Sequence, residues 1–289
     1  MAVIGRWRTR RKLPAEGVVA GLPPLPSGPG SADTRSEPHR GLYGGVAVAV
    51  FVVLWEVIGR SAVVDPIFLS APTVILGAAI ALARSGELLE HLRVSGVEFV
   101  LGFLLAAATA VPLGLLAGWY RRLHFVLDPF LSAFYVTPRI ALLPLIVLWV
   151  GIGLMSKVAI VFLGAFFPIC LTTIAGVRTV DPGLLRVARG FHASEVRIFR
   201  TIILPSCVPF VLAGLRLGVG RALVGVVVGE LFAGSAGIGF LIGVAGAAFR
   251  TERVFVGVLV LMAFGVLCNE MLTRLEARFE RWRPPPMGV

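Results

Sequence analysis

The chain has 289 residues and a formal net charge of +11, yet only 15% of its residues are charged and 57% are hydrophobic. Soluble domains carry roughly 25% charged residues, and continuity settles the class. Phe99 to Trp119 and Val158 to Val177 contain no charged residue, and each run is long enough for a helix to cross ~30 Å of hydrocarbon. A water-soluble fold is excluded, and the sequence predicts an all-α, multi-spanning membrane protein. Its basic residues fall between the apolar runs, which is the pattern of membrane topology and not of a nucleic-acid partner.

In chain order, residues 1–40 read as a cytoplasmic tail. GLPPLPSGPGSADTRSEPHR is rich in Pro, Gly and Ser without apolar periodicity, a composition that predicts disorder. The first apolar run opens near Tyr43 with no Ala-x-Ala cleavage pattern, so it predicts an uncleaved span. Apolar blocks follow near 43–58, 67–83, 99–119, 127–150, 158–177, 206–229, 231–249 and 254–272. Hydropathy alone admits six to eight crossings, and charge chooses among them. The tail, Arg121–Arg122, the 178–200 stretch and Arg274–Arg283 hold most of the 27 Lys and Arg residues. All four share one side only if 67–83 and 231–249 do not cross. Local residues agree: Ser70-Ala71-Pro72-Thr73 starts a short interfacial helix, and GSAGIGFLIG suits a re-entrant element packed against protein. The expectation is six spans within 41–283, both termini cytoplasmic, and a short tail at 284–289.

Between the fourth and fifth spans lies ARGFHASEVRIFRTIILPSCVP, Ala188 to Pro209. Asp181 is a capping residue and Pro182 suits the first helical position, so a helix is expected to about Arg189. Gly190 interrupts it, Ser194 caps a second helix to Leu204, and Pro205 and Pro209 bend the chain back toward the membrane. A loop serving topology alone can be short and unstructured. Capped helices presenting Ala188, Phe191 and Ala193 read instead as a docking surface for a soluble partner.

Charges inside spans are costly, so Glu230 in VVVGELFAG and Arg139 beside Pro138 are candidate pathway or gate residues, with pairing between helices or an interfacial position as the alternative for each. Arg216 and Arg221 read as snorkelling or structurally paired, and Glu56 and Glu98 as residues of span ends. Gly114-x3-Gly118, Gly214-x3-Gly218 and Gly225-x3-Gly229 suit close helix packing. Cys170, Cys207 and Cys268 form no CxxC pair and read as buried thiols, indicating neither a metal site nor a disulfide. A P-loop needs Gly-Lys-Ser/Thr, but the lysines are Lys12 and Lys157, following Arg11 and Ser156. No cofactor is expected in this chain, and any ATP is hydrolysed by another polypeptide. The histidines His39, His91, His124 and His192 build no HExxH, and no GxSxG occurs, so an intramembrane hydrolase lacks its constellation. An ion-coupled carrier, the other alternative, predicts internal repeats, and none is evident.

The loop resembles the signature of permease subunits in ATP-binding-cassette (ABC) importers: Glu-Ala-Ala, three residues, Gly, nine residues, Ile-x-Leu-Pro. In register stand Arg186-Val187-Ala188, then His192, then Ile202-Ile203-Leu204-Pro205. Ala188, Ile202, Leu204 and Pro205 match, whereas Arg186, Val187 and His192 depart, the last where a left-handed glycine is usual. PRIALLPLIVLWVGIGLMSKVAIVFLGAFFPI from Pro138, HAS at 192–194, LPSCVPFVLAGLRLGVGRA from Leu204, Glu230, GSAGIGFLI from Gly234 and LEARFERW are similar to the branch carrying nitrate, aliphatic sulfonates and taurine. The resemblance covers about 41–283. It implies a type I importer permease fold of six spans in a prokaryotic cytoplasmic membrane, with a cytoplasmic coupling hairpin at 178–205. It also implies a second permease copy, usually as a homodimer, two ABC ATPase subunits docking on Arg186–Ser194, and an extracytoplasmic solute-binding protein.

Overall fold

The computed structural model describes residues 40–61 and 64–279, and these residues contain helices and connecting turns but no strand. The predicted tail up to residue 39 and the chain end from 280 lie outside the described residues. Two compact units emerge, Met1–Phe51 and Val52–Val289. The described part of the first is the leading stretch of α1 (Arg40–Arg60), whose side chains from Leu42 to Phe51 are exposed and almost wholly apolar, a surface suited to hydrocarbon.

The second unit holds the end of α1, then α2 (Pro72–Arg84), α3 (Glu87–Trp119), α4 (Arg121–Val136), α5 (Arg139–Val150) and α6 (Leu154–Arg178). A polar hairpin contains α7 (Pro182–Gly190) and α8 (Glu195–Ile198), and α9 (Leu204–Ala233), α10 (Ile238–Ala247) and α11 (Thr251–Phe279) complete it. The core is α6, packed along its length against α3 on one side and α9 on the other. Glycines make that approach possible. Val161 of α6 is 0% exposed, and a Cβ on Gly102 of α3 would stand 2.6 Å from its Cβ, one on Gly225 of α9 only 3.0 Å from its Cα. All three spaced glycine pairs of the sequence face α6: Gly114 and Gly118 meet Thr173 and Val177, while the α9 pairs meet Ile169, Val161 and Lys157. Without side chains between them the backbones close in, and dispersion contacts along two seams hold the helices where hydrocarbon supplies no hydrophobic drive.

Among the described residues, five helices are long and apolar enough to cross a membrane, or six if the bent pair α4–α5 counts as one span. The sequence predicts one continuous span over 127–150; the chain instead breaks into α4 and α5, which meet at 106°. The cause is local. Pro138 has no N–H, and its ring pushes Thr137 into extended backbone, φ −61 and ψ 128. Thr137 Oγ1 donates to the Ala133 carbonyl at 2.8 Å and closes the end of α4. Since α3 ends near the hairpin and α6 begins at the opposite end of the bundle, the pair carries the chain from one end to the other. The two short helices do not cross. Arg253 at the start of α11 lies 3.8 Å from Glu87 at the start of α3, so α10 leaves from and returns to one end. There α2 is also tied, through Glu56, which accepts from the Thr73 N–H at 3.0 Å and from its hydroxyl at 2.7 Å.

A methyl group at the seam is therefore predicted to be felt. Gly118→Ala, whose Cβ would meet Val177 at 2.5 Å, destabilises the bundle by about 1–3 kcal/mol. Gly96→Ala in the same helix, where a Cβ meets nothing within 4 Å, costs no stability and gains up to about 1 kcal/mol of helix propensity. Thermal melting of the two purified variants in one detergent checks the difference.

Candidate functional site

The hairpin is built from capped pieces. Asp181 Oδ1 accepts the Gly183 N–H at 2.6 Å, with Pro182 in the first turn of α7. The helix closes on His192, which has φ +55. The His192 N–H donates to the Arg189 carbonyl at 2.9 Å and the Ala193 N–H to the Ala188 carbonyl at 3.1 Å. These paired bonds are a Schellman closure, whose left-handed residue is usually glycine because of the steric cost of a Cβ. Histidine occupies that position here, and Gly190, expected to interrupt the helix, is its last residue. Ser194 then caps α8, accepting the Arg197 N–H at 3.4 Å.

The second helix does not stop at Leu204 or bend away at Pro205, as the sequence suggests. It passes through a π turn, Phe199–Ile203, and continues as α9, with Pro205 in its first turn and Pro209 inside it. A proline ring collides with the carbonyl four residues back in a regular ladder. The Leu204 N–H reaches back five residues to Phe199, which widens the turn just before the ring.

The hairpin has two faces. Inward, Leu185, Ile198, Phe199, Ile202 and Ile203 pack near Trp119 at the end of α3, Val177 of α6 and Val180 just after it, and Cys207 of α9. The Trp119 and Phe199 rings meet edge-on at 6.1 Å. Outward, Leu184, Val187 and Phe191 recur at helical spacing and are exposed, Phe191 by 84%. Arg186, His192 and Ser194 are exposed, Leu204 is 41% exposed, and Ala188, Ala193 and Pro205 are half-buried. Arg189 and Glu195 bridge the two helices at 3.5 Å, an exposed pair of small energetic weight.

At the opposite end of the bundle is a buried polar knot. Glu230, 0% exposed, accepts from Ser95 Oγ at 2.5 Å and from the Gly239 N–H at 2.6 Å. The Ile238 N–H donates to Ser95 Oγ at 2.8 Å and the Gly237 N–H to His91 Nδ1 at 3.0 Å. Three successive N–H groups at the start of α10 thus find side-chain acceptors, satisfying donors that a buried helix start otherwise leaves open. Gly237 has φ +121, and a Cβ there would lie 2.1 Å from Glu230 Oε1, so no other residue fits. Beside them Lys157 Nζ donates to Glu98 Oε1 at 2.6 Å, both side chains buried. Glu98, read in the sequence as a span-end residue, is an internal ion-pair partner. Lys157, Ser95 and His91 carried no sequence motif; the one available signal was that Lys157 is the sole lysine after the tail and flanks an apolar run.

Glu230, named in the sequence as a pathway or gate candidate, is therefore placed where it fixes α10. Arg139, the other, opens α5, and its side chain lies outside the described residues. Its neighbours Pro138 and Ile140 line a cavity of about 310 Å³ at the α4–α5 break, bounded across by α6 and α9. Arg216 is paired, reaching Glu276 at 2.5 Å and Thr273 at 3.1 Å on α11. Cys170 and Cys207 are buried and Cys268 half-buried, all three as free thiols.

Helices long and apolar enough to cross a membrane, packed around a broken element that faces a cavity, mark an integral-membrane protein. The family described as binding-protein-dependent transport system inner membrane component matches residues 110–281, and the chain belongs to it. It is 37% identical over 253 residues, 86% of this chain and 92% of the relative, to the putative aliphatic sulfonates transport permease protein SsuC of Bacillus subtilis (strain 168). It is 30% identical over 240 residues to the taurine transport system permease protein TauC of Escherichia coli (strain K12), covering 81% of this chain and 87% of that one. Among solved structures, a chain of the inward-facing MetNI methionine ABC transporter superposes with a TM-score of 0.58 at 17% identity, covering 68% of this chain and 96% of that one; this likeness is one of fold. The protein is a multi-pass permease of the cell membrane, and its relatives are transport permeases, not enzymes.

Two outcomes are expected. Lys157→Met leaves Glu98 buried without its partner and costs about 3–5 kcal/mol, whereas Lys157→Met with Glu98→Leu recovers most of that loss; melting curves in detergent check the pair. His192→Gly preserves the hairpin, while the β-branched His192→Val, strained at positive φ, opens it to limited proteolysis.

Proposed function

We propose that this chain is the membrane subunit of an ATP-driven importer of small sulfonate-bearing solutes, moved by ATPase subunits that grip the 181–205 hairpin. One observation carries the reading: the hairpin exposes an apolar stripe, Leu184–Val187–Phe191, on one face, while its other face is packed into the ends of α3, α6 and α9. A free surface loop gains nothing from exposed apolar groups, whereas a docking face buries them in a partner. Because the inner face is locked to three helix ends, a push on the stripe tilts those helices as one body. Transport then needs two discrete packings of the bundle, which ATPase closure would drive.

Family membership supports the rest of the assembly. Two copies of the chain would enclose the pathway, two ATPases would sit on the hairpin side, and a solute-binding protein would deliver from outside. With α4–α5 taken as one broken span the chain has six crossings, and both termini lie with the hairpin in the cytoplasm. The sulfonate class rests on the names of the aliphatic sulfonates and taurine permeases, whose solutes share that head group.

The test is a tagged chain expressed with its cognate ATPase and binding protein. Val187→Asp and Phe191→Asp are expected to lose ATPase co-purification and at least about tenfold of labelled taurine uptake, since burying an unpaired carboxylate in an interface is costly. Both variants keep wild-type melting temperatures, because neither side chain packs inward. Normal co-purification in both would overturn the docking role.

A further inference from the structure

We propose that Arg221 and the cavity at the α4–α5 break form an anion-binding site within the membrane, taking the oxyanion head of the transported solute. The inference deepens the importer reading and rests on it. Arg221 lies well inside the 30-residue helix α9, roughly 25 Å from Leu204 and 18 Å from Ala233 along the axis. That depth falls within ~30 Å of hydrocarbon, where a guanidinium facing lipid is disfavoured by several kcal/mol.

The two arginines of this helix differ. Arg216 is neutralised across the bundle by Glu276. Arg221 is exposed and, among the described residues, makes no hydrogen bond or ion pair. What it borders is the cavity of about 310 Å³, together with Tyr135, Thr137, Pro138, Ile140 and Gly225. This is where the helix breaks by 106°, and irregular backbone at membrane depth persists only where it faces protein or a water-filled space. Discontinuous helices are where membrane carriers hold solutes and ions, and an ionisable residue at membrane depth marks a functional site by default. Position is also fixed: α6 presses on the Arg221 backbone, since a Cβ on Gly164 would lie 2.8 Å from its carbonyl oxygen. The carboxylates of the bundle are engaged elsewhere, Glu98 and Glu230 in the knot and Glu276 with Arg216. An incoming anion therefore meets a positive charge carried on a backbone held against α6, an apolar wall for its organic part, and no carboxylate among the cavity-lining residues.

The volume suits the class. A cavity of this size lies at the small end of ligand sites, enough for a sulfonate with a short alkyl or aminoalkyl chain.

The experiment uses the purified full chain with its ATPase in nanodiscs and places a thiol at the cavity wall by Val224→Cys. Two methanethiosulfonate reagents of similar size are compared, one ending in sulfonate and one in trimethylammonium, with the parent chain as the blank for native cysteines. The sulfonate reagent is expected to label on the order of tenfold faster, and added butanesulfonate to slow it. Arg221→Gln abolishes the preference, and Arg221→Lys retains it. Equal rates for the two reagents, or a preference that survives in Arg221→Gln, would overturn the site. Labelling reads the cavity charge whether or not the ATPase co-purifies, so failure of the importer reading shows separately, as a wild-type chain that captures no ATPase.

Discussion

The structure depends on how closely α3 and α9 approach α6. A bilayer offers helices no hydrophobic reward for meeting, so contact area must come from shape. Here glycines supply it on both flanks of one helix, and Val161, with Gly102 on one side and Gly225 on the other, has no room to move. The outcome is a closely packed three-helix slab. Elements less tightly bound, the α4–α5 pair among them, are arranged around it.

The slab has different chemistry at its two ends. One end is closed by an internal polar lock in which Glu230, Ser95 and His91 hold the start of α10 and Lys157 holds Glu98. Such groups lose much if one partner is removed and little if both are replaced together, so they favour one arrangement over its neighbours more than they add stability. The other end is closed by apolar packing beneath the hairpin, with an oily stripe left facing outward. α3, α6 and α9 run between the two ends in continuous mutual contact.

Much of this was legible in the sequence because apolar run length and Arg placement report directly on the bilayer. The demotion of 67–83 and 231–249 to short helices came from charge, and the ends of α2 and α10 agree with it. Asp181, Pro182 and Ser194 announced the hairpin because capping is local chemistry. The break at Thr137–Pro138 was hidden by continuous hydropathy over 127–150, since an apolar average cannot see a bend. The polar lock was illegible for another reason: Glu98, Lys157 and Glu230 are up to 132 positions apart, and only folding makes them neighbours. Family membership was readable from the loop in spite of its departures, and His192 keeps the backbone geometry of the pattern. Its backbone takes the left-handed conformation a glycine would take.

The π turn at Phe199–Ile203 has a bearing on how such chains diverge. Buried positions around it step from Ile198 to Ile203 to Cys207, first by five and then by four, so the ladder holds one surplus residue. Losing that residue would rotate everything upstream by about 100° about the helix axis and turn the stripe away from any partner. The aim of the handle is thus set by a count of residues. An exchange of side chains there leaves this angle intact, whereas an insertion or deletion of one residue re-aims the whole outer face of the hairpin.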